Sequence, residues 1–443
     1  MALPANILSM NRRSFVRNSL VFAAATQARP ILGANDRVNF ATIGVGGRGR
    51  GHLGYFDEVP NVRLAAICDV NQAARERAEA QINKLQNIKP KGYSDMRALF
   101  DDKDIDAVSV ATPNHWHALT TIWACQAGKD VYVEKPASHN VFEGQQMVNA
   151  ARKNDRMVQV GSQSRSIGHK RDAMQLLAEG VIGQVFMARG LCYRRRYSIG
   201  HTPVEPVPPG LDWSMFLGPA PTREYTKNRF DYNWHWFWDT GNGDIGNQGV
   251  HEMDICRWGL GLKTGDVPEN VTAAGGKFVW KDDQETPNTQ QVNLVFDDKQ
   301  IVFDTRNLNT GTESQIPLGK SLTGNMFYGS EGFMIVHPTG FQVFKGDERE
   351  KTHDEERQEE RIWDPVPHMS NFVDAVRSRD RHKLHADIAV GAEAAAMCHY
   401  GNASYRVGRR LTIDNKGMAA GDREANAILR RDGHGPYMIP ELG

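Results

Sequence analysis

No run of apolar residues in this 443-residue chain approaches the ~18 needed to cross a bilayer as a helix, which excludes an integral helical membrane protein. Net charge is missing as well. Against 53 Lys and Arg stand 53 Asp and Glu, so nothing electrostatic favours nucleic acid as a partner. Cysteine is scarce: the five, at 68, 125, 192, 256 and 398, form no CxxC pair. That scatter excludes a disulfide framework and a structural zinc site, and the thiols read as small buried hydrophobes. Internal repeats and low-complexity tracts are lacking. What is present is 40% hydrophobic residues over a length of two or three ordinary domains, enough for real cores. A disordered chain, a coiled coil and a collagen-like repeat are thereby excluded.

Acidic residues are lacking from positions 1–34, which hold Arg12, Arg13, Arg17 and Arg29. The string Asn11-Arg12-Arg13-Ser14-Phe15-Val16-Arg17, followed by the apolar Leu20–Ala25, resembles a twin-arginine export signal. An amphipathic N-terminal arm is the alternative. Export in the folded state predicts a periplasmic protein that folds in the reducing cytosol, in keeping with its unpaired cysteines.

From Asp36 to Val160, short apolar runs alternate with helical patterns: 38–43, 62–68, 105–111, 130–133 and 157–160. That rhythm predicts an α/β fold whose first unit is a doubly wound parallel sheet of Rossmann type. Beyond Gly161 it gives way to a helix near 169–179, a strand at 184–193, a Pro/Gly/Trp-rich excursion over 198–245, and alternating strands over 290–306 and 326–344. A C-terminal α/β domain with a largely antiparallel sheet follows. The densely charged 345–361 reads as a solvated loop. The division predicted is 1–34 signal, 35–161 dinucleotide-binding domain, 162–415 substrate and oligomerisation domain, and 416–443 C-terminal extension.

Gly44-Val45-Gly46-Gly47-Arg48-Gly49 is a G-x-G-x-x-G at the end of the first strand, with Asp69 ending the second. Gly44 permits the tight turn, Gly46 and Gly47 let backbone approach a pyrophosphate, and Gly49 lets helix and strand pack closely. Arg48 is placed to stack on adenine or neutralise phosphate. Asp69 accepts ribose hydroxyls and repels a 2′-phosphate, so NAD is expected over NADP. Thr112, Pro113, Asn114 and His117 follow the fourth strand, Glu134 and Lys135 the fifth, and Gln163 the last. All lie on the edge where such sheets bind ligands, and all are assigned to the cofactor. Lys135, fixed by Pro136, is also placed to bind a substrate hydroxyl and help its proton leave.

The stretch Asn247 to Trp258, read as one helix, puts Asn247, His251, Asp254 and Trp258 on one face. His251 is the candidate acid/base, Asn247 a positioning group, and a buried structural histidine the alternative. A metal site is not predicted, because Glu252 points away and no second histidine follows His251 at i+4. Tyr193, Arg194, Trp238 and Asp254 are expected to line a substrate pocket, aromatic faces suiting sugar C–H faces and arginine suiting hydroxyls. Core packing is the competing reading of that cluster.

Together these elements resemble the glucose–fructose oxidoreductase/inositol dehydrogenase (Gfo/Idh/MocA) family. The motifs that carry the resemblance are Gly44–Gly49, Thr112-Pro113-Asn114 with His117, Glu134-Lys135-Pro136, Asp212-Trp213 with Leu217-Gly218-Pro219, Gly249-Val250-His251 and Gly329-Ser330-Glu331-Gly332. The resemblance implies NAD(P)-linked oxidation or reduction at a carbinol carbon of a sugar, polyol or glycoside. It also implies Lys135 and His251 as catalytic groups, and a homo-oligomer, dimer or tetramer, built on the second sheet. One departure stands out: the family's usual aspartate four residues before the histidine is Asn247, which cannot take a proton. An exported enzyme finds little free NAD, so tightly held NAD recycled within the site is expected. The alternatives are a redox-neutral NAD-dependent glycosidase or epimerase, and a non-catalytic sugar-binding protein of the same fold.

Overall fold

The computed structural model describes residues 37–308, 322–357, 363–431 and 433–442. Residues 1–34, expected to hold an export signal, lie outside them. Strands β1 (Val38–Ile43), β2 (Val62–Cys68), β3 (Lys91–Tyr93), β4 (Ala107–Val110), β5 (Asp130–Val133) and β6 (Val158–Val160) form one six-stranded sheet in the order β3-β2-β1-β4-β5-β6. Every pairing in it is parallel. The central strands are short, rich in Val and Ile, and buried along their length, as strands covered on both faces must be. Helices α1 (Arg48–Asp57), α2 (Gln72–Gln86), α3 (Met96–Asp101), α4 (Asn114–Gln126) and α5 (Val141–Lys153) supply the cover. Asn71, Asp95 and Asn140 each accept a backbone N–H from the first turn of the helix they precede, satisfying donors that helix geometry leaves free. The strand order reverses between β1 and β4, and that switch point opens a crevice at the strands' C-terminal ends.

Two short elements escape the sequence pattern. Lys91–Tyr93 and Met96–Asp101, with three and six residues, are too brief to show a period, so the region reads as a turn.

The second sheet has nine strands: β7 (Val185–Tyr193), β8 (Asn270–Gly276), β9 (Thr289–Val295), β10 (Gln300–Arg306), β11 (Leu322–Gly329), β12 (Gly332–His337), β13 (Gly340–Lys345), β14 (Glu350–Glu356) and β15 (Leu411–Thr412), in the order β14-β13-β12-β11-β7-β10-β9-β8-β15. All pairs are antiparallel except β7 with β10. The charged stretch expected to be a loop therefore contains an edge strand, β14. It is almost wholly solvent-facing and lacks apolar alternation, while its charges discourage further pairing at that edge.

Helices α6 (Gly168–Ala178), α9 (Gly249–Gly259) and α11 (Ile388–Val407) bury their apolar sides on one face of this sheet. Two shorter helices, α7 (Trp213–Leu217) and α8 (Gly243–Asn247), punctuate the excursion from 198 to 245. Helix α11 joins the two sheets. A Cβ on Gly391 would come within 2.3 Å of Val160 in β6, and one on Gly401 within 2.8 Å of Val292 in β9. Glycine at these two positions lets the helix lie against both sheets at once. Helix α10 (Val366–Ser378) returns to the first sheet, where Met369, Phe372 and Val373 pack with Phe40, Phe56 and Tyr132. Past α12 (Arg423–Leu429), the tail does the same, with Ile439 beside Trp116 and Phe142. Periodicity shows that such segments have an apolar face, but not which sheet it covers.

Candidate active site at the junction of the two sheets

The crevice opens into a cleft of about 610 Å³ whose walls come from the strand ends and loops of the first sheet, from α8 and α9 of the second domain and from the excursion. Its floor is the glycine turn. Gly44 adopts φ +83°, and a Cβ there would come within 2.7 Å of the Ala111 carbonyl oxygen. A Cβ on Gly49 would land 1.8 Å from the Gly44 carbonyl oxygen, so its hydrogen is what allows α1 to start this close to β1. Around Gly46 and Gly47 the Cβ positions meet nothing within 4 Å; their backbone faces open space where a ligand can approach. Asp69 accepts the Val45 N–H at 2.7 Å and the Asn71 N–H at 2.8 Å, one on each carboxylate oxygen. Burial raises its pKa from the ordinary aspartate value, against those two N–H groups.

Arg48 does not point freely at a ligand. Its Nε donates to Glu134 at 2.8 Å, and His52 Nε2 lies 3.0 Å from the same carboxylate oxygen. Burial alone would raise Glu134, but Arg48 and His52 hold it well below its ordinary value. The ion pair ties the start of α1 to the loop after β5. His117 ties a second pair of loops: its Nδ1 lies 2.7 Å from the Pro136 carbonyl oxygen and its Nε2 2.8 Å from that of Thr112.

Lys135 projects from the end of β5 to the other domain. Its Nζ donates to the Asn247 backbone carbonyl at 2.7 Å and stands 3.3 Å from the Asn247 side-chain oxygen. Burial lowers its pKa from the usual lysine value, partly offset by Glu134. The Asn247 amide in turn donates to Asp244 at 3.2 Å and to the Tyr232 hydroxyl at 3.1 Å. Asp244 is fully enclosed and held by Arg196 through Nη2 at 2.8 Å and Nε at 3.1 Å. His251 lines the same cleft. Its Nδ1 has no partner, and burial, then Lys135, takes its pKa well below the ordinary imidazole value. His235 lines the cleft as well, pushed down to about 3 by burial. At neutral pH both imidazoles are neutral.

The expected cofactor residues gather here: Gly44, Gly46, Gly47, Arg48, Asp69, Thr112, Pro113, Asn114, His117, Glu134, Lys135 and Gln163 all line the cleft, while Gly49 lies behind it, packed on Gly44. Asn247 and His251 line it too. The residues expected to bind substrate do not. Tyr193 is buried with Leu191 and Ile335, and Arg306 stacks on its ring at 4.6 Å. Arg194 turns aside to Gln248 at 3.0 Å, and Arg196, two residues on, is the one that reaches the site network. Trp238 packs under Arg406 at 4.9 Å. Asp254 is wholly buried in a two-pronged pair with Arg165, at 2.8 Å on each side.

The helix read through Asn247 is broken at Gln248, between α8 and α9. Within α9, His251 faces the cleft while Asp254 and Trp258 clamp Arg165 from the first sheet's last loop, with Trp258 4.8 Å from the guanidinium. Glu252 lies outside the cleft, raised by burial to about 8 beside Lys170.

Tyr232, His235, Met215 and Phe216 line the cleft instead. Tyr232 and His235 share a face because Asp231–Trp236 is a 3₁₀ helix, whose side chains eclipse every third residue. The aromatic density of 230–238 was a visible signal; the helix type that selects its members was not.

The donor set fits a dinucleotide. Open backbone stands at Gly46 and Gly47, a carboxylate ends β2, and the buried Thr112 Oγ1 and Gln163 Oε1 lack partners.

Two family models match the chain: the oxidoreductase family's NAD-binding Rossmann fold over residues 38–162, and its C-terminal alpha/beta domain over 173–439, both of the Gfo/Idh/MocA type. Among curated relatives, a glycosyl hydrolase family 109 protein of Saccharopolyspora erythraea is 33% identical over 183 residues, covering 38% of this chain and 40% of that protein. A family 109 protein of a Shewanella species is 32% identical over 191 residues, covering 42% and 39%. The chain thus matches about two-fifths of the length of these relatives. Two solved structures share the fold. Levoglucosan dehydrogenase with NADH and levoglucosan has a TM-score of 0.62 at 18% identity, covering 85% of this chain and 99% of that one. The WlbA dehydrogenase of Bordetella pertussis with NADH and UDP-GlcNAcA has a TM-score of 0.62 at 19% identity, with the same coverage.

Proposed function

The chain belongs to the Gfo/Idh/MocA oxidoreductase family and carries its NAD-binding Rossmann domain, and from that premise we propose that it oxidises a ring hydroxyl of a sugar or glycoside with NAD retained in the cleft. The observation that carries this reading is Lys135. Its amine sits inside the ligand cleft, fixed on Asn247, with a pKa lowered by burial. A lysine so placed hydrogen-bonds a substrate hydroxyl and takes up its proton as the carbinol carbon is oxidised. NAD, when bound, supplies the hydride acceptor. Asn247 holds the amine, and Tyr232, whose oxygen accepts from Asn247, keeps its own proton for a second substrate oxygen. Neutral His251 accepts or returns a proton on the same side. His235, stacked on Trp234 with centroids 3.6 Å apart, forms an apolar wall suited to a pyranose face.

The relatives named as glycosyl hydrolases and the two neutral imidazoles favour a second reading. Transient oxidation would acidify the adjacent C–H, an imidazole would remove that proton as the aglycone leaves, and water addition and reduction would complete a redox-neutral hydrolysis. Both readings fit an exported enzyme of the twin-arginine route that carries its cofactor with it. A homo-oligomer built on the outer face of the second sheet completes the proposal.

The deciding experiment offers a panel of sugars and nitrophenyl glycosides to NAD-loaded protein and follows nicotinamide absorbance and aglycone together. Stoichiometric reduction by a free sugar supports oxidation. Aglycone release without net reduction supports the second reading, and neither signal across the panel overturns both.

A further inference from the structure

The Asp212-Trp213 and Leu217-Gly218-Pro219 motif takes no part in the chemistry above, yet it lies against the site. The excursion leaves the second sheet after β7, crosses to the first, and forms an antiparallel bridge between Leu211 and Asn71. The Gln72 N–H donates to the Gly210 carbonyl at 2.9 Å, and the Asp212 N–H to the Val70 carbonyl at 3.1 Å. This contact falls one residue beyond Asp69, the carboxylate placed to hold the adenosine ribose. Immediately afterwards Met215 and Phe216 enter the wall of the cleft that Asp69 and Arg77 also line.

The segment is locked from behind. Asp212 caps α7 by accepting the Met215 N–H at 2.8 Å. Trp116 Nε1 donates to the Phe216 carbonyl at 3.0 Å, and His115 Nε2 lies 2.9 Å from that oxygen. Gly218, at φ +45°, presses so closely on Trp116 that a Cβ would fall 2.0 Å from its ring. Tyr437 of the C-terminal tail meets the same ring edge-on at 5.4 Å, and His434 Nε2 lies 2.9 Å from the Ala220 carbonyl oxygen. The strap is thus firm at its Trp116 end. At its leading end it is held by two backbone hydrogen bonds and lies exposed over 203–210.

We propose that residues 208–218 are a cofactor-retaining strap: a piece of the second domain that closes over the adenosine end of the cleft and must lift from Val70–Gln72 for NAD to enter or leave. The proposal rests on the NAD reading of the cleft and deepens it, because it makes cofactor exchange slow through this chain's own residues. Opening breaks the pair of hydrogen bonds at the leading end and disturbs the packing of Val70 and Leu211 on the Trp213, Phe216 and Leu217 cluster, while Trp116 acts as the fixed point.

The Asn71–Leu211 bridge provides the test. Its flanking bonds make it a non-hydrogen-bonded antiparallel pair, with Cα atoms close enough for a disulfide, and the five native cysteines are all buried. The full chain carrying Asn71→Cys and Leu211→Cys is loaded with NADH and then oxidised. Release is followed by nicotinamide fluorescence after mixing with excess NAD. Release at least tenfold slower than in the same protein after reduction, with unchanged stoichiometry, is expected. Asp212→Ala, an exposed position that loses only the cap, should release NADH several-fold faster than wild type. Equal release rates in oxidised and reduced protein, the disulfide verified by mass, overturn the strap. So does a pair that will not oxidise combined with an Asp212→Ala rate equal to wild type. Absence of NADH binding by the wild type overturns the NAD reading itself and the strap with it, whereas binding with unaltered rates overturns the strap alone.

Discussion

Lys135 and Asn247, from different domains and 112 residues apart in sequence, meet at 2.7 Å through the lysine Nζ and the asparagine backbone carbonyl. The asparagine stands where the family resemblance leads one to expect a carboxylate, and its backbone carbonyl holds the amine instead. Asp244 is one hydrogen bond further back, paired with Arg196. Lys135 is therefore positioned without a formal ion pair to Asn247, which leaves its proton easier to lose than a direct salt bridge would.

Replacing Lys135 with Met should leave NADH binding within about threefold of wild type and lower kcat by about 10²–10⁴, the usual worth of a general acid–base group. Loss of NADH binding in equilibrium titration, or an unchanged kcat, would contradict the assignment.

The oxidation rate should rise with pH. The neutral amine is the proton acceptor, and burial lowers the Lys135 pKa, so the acid limb of kcat/KM should have its midpoint below the ~10.4 of a free lysine. In Asp244→Asn the Arg196 charge is left unbalanced near the amine, and the midpoint should move further down. A pH–rate profile for each protein measures this; a midpoint unmoved by the substitution would exclude electrostatic coupling between Asp244 and Lys135.

Asp69→Ala should erode discrimination between NAD and NADP by about tenfold or more, because the carboxylate that repels a 2′-phosphate is removed. Comparing the two dissociation constants by fluorescence tests it, and an unaltered ratio would remove the ribose role.

Glu134→Gln should destabilise the fold by about 2 kcal/mol, less than the 3–5 typical of breaking a fully buried pair, because Arg48 reaches solvent. The folded-state pKa of Glu134 is held below its ordinary value. Its contribution is therefore complete above the unfolded-state pKa near 4.3 and fades as pH falls towards the folded-state value. Urea melts at neutral pH should separate the two proteins, and the gap should close in strong acid. A gap independent of pH would mean that packing, not charge, is lost.

Exchanging Arg12 and Arg13 for Lys should abolish export of the full chain in a bacterium with a twin-arginine translocase. Periplasmic fractionation checks this, and undiminished export would refute that route.

The amino-acid order alone determined the doubly wound first sheet, its glycine turn with Asp69, and the Thr112 and Glu134-Lys135 loops at the strand ends. These are local features: a strand's apolar run, a glycine spacing and a turn after a strand are written in consecutive residues, and a parallel sheet sends every strand end to one edge. Tertiary structure decided everything that depends on which surfaces meet. Whether Arg194 or Arg196 faces the site hung on where β7 ends. Whether Asp254 lined the cleft or gripped Arg165 hung on where the loop after β6 places that arginine. That Met215, Phe216 and Tyr232 wall the cleft depends on an irregular excursion without periodicity, folded back across a second sheet. Long-range burial fixes those placements, and nothing in the spacing of neighbouring residues encodes a partner more than a hundred positions away.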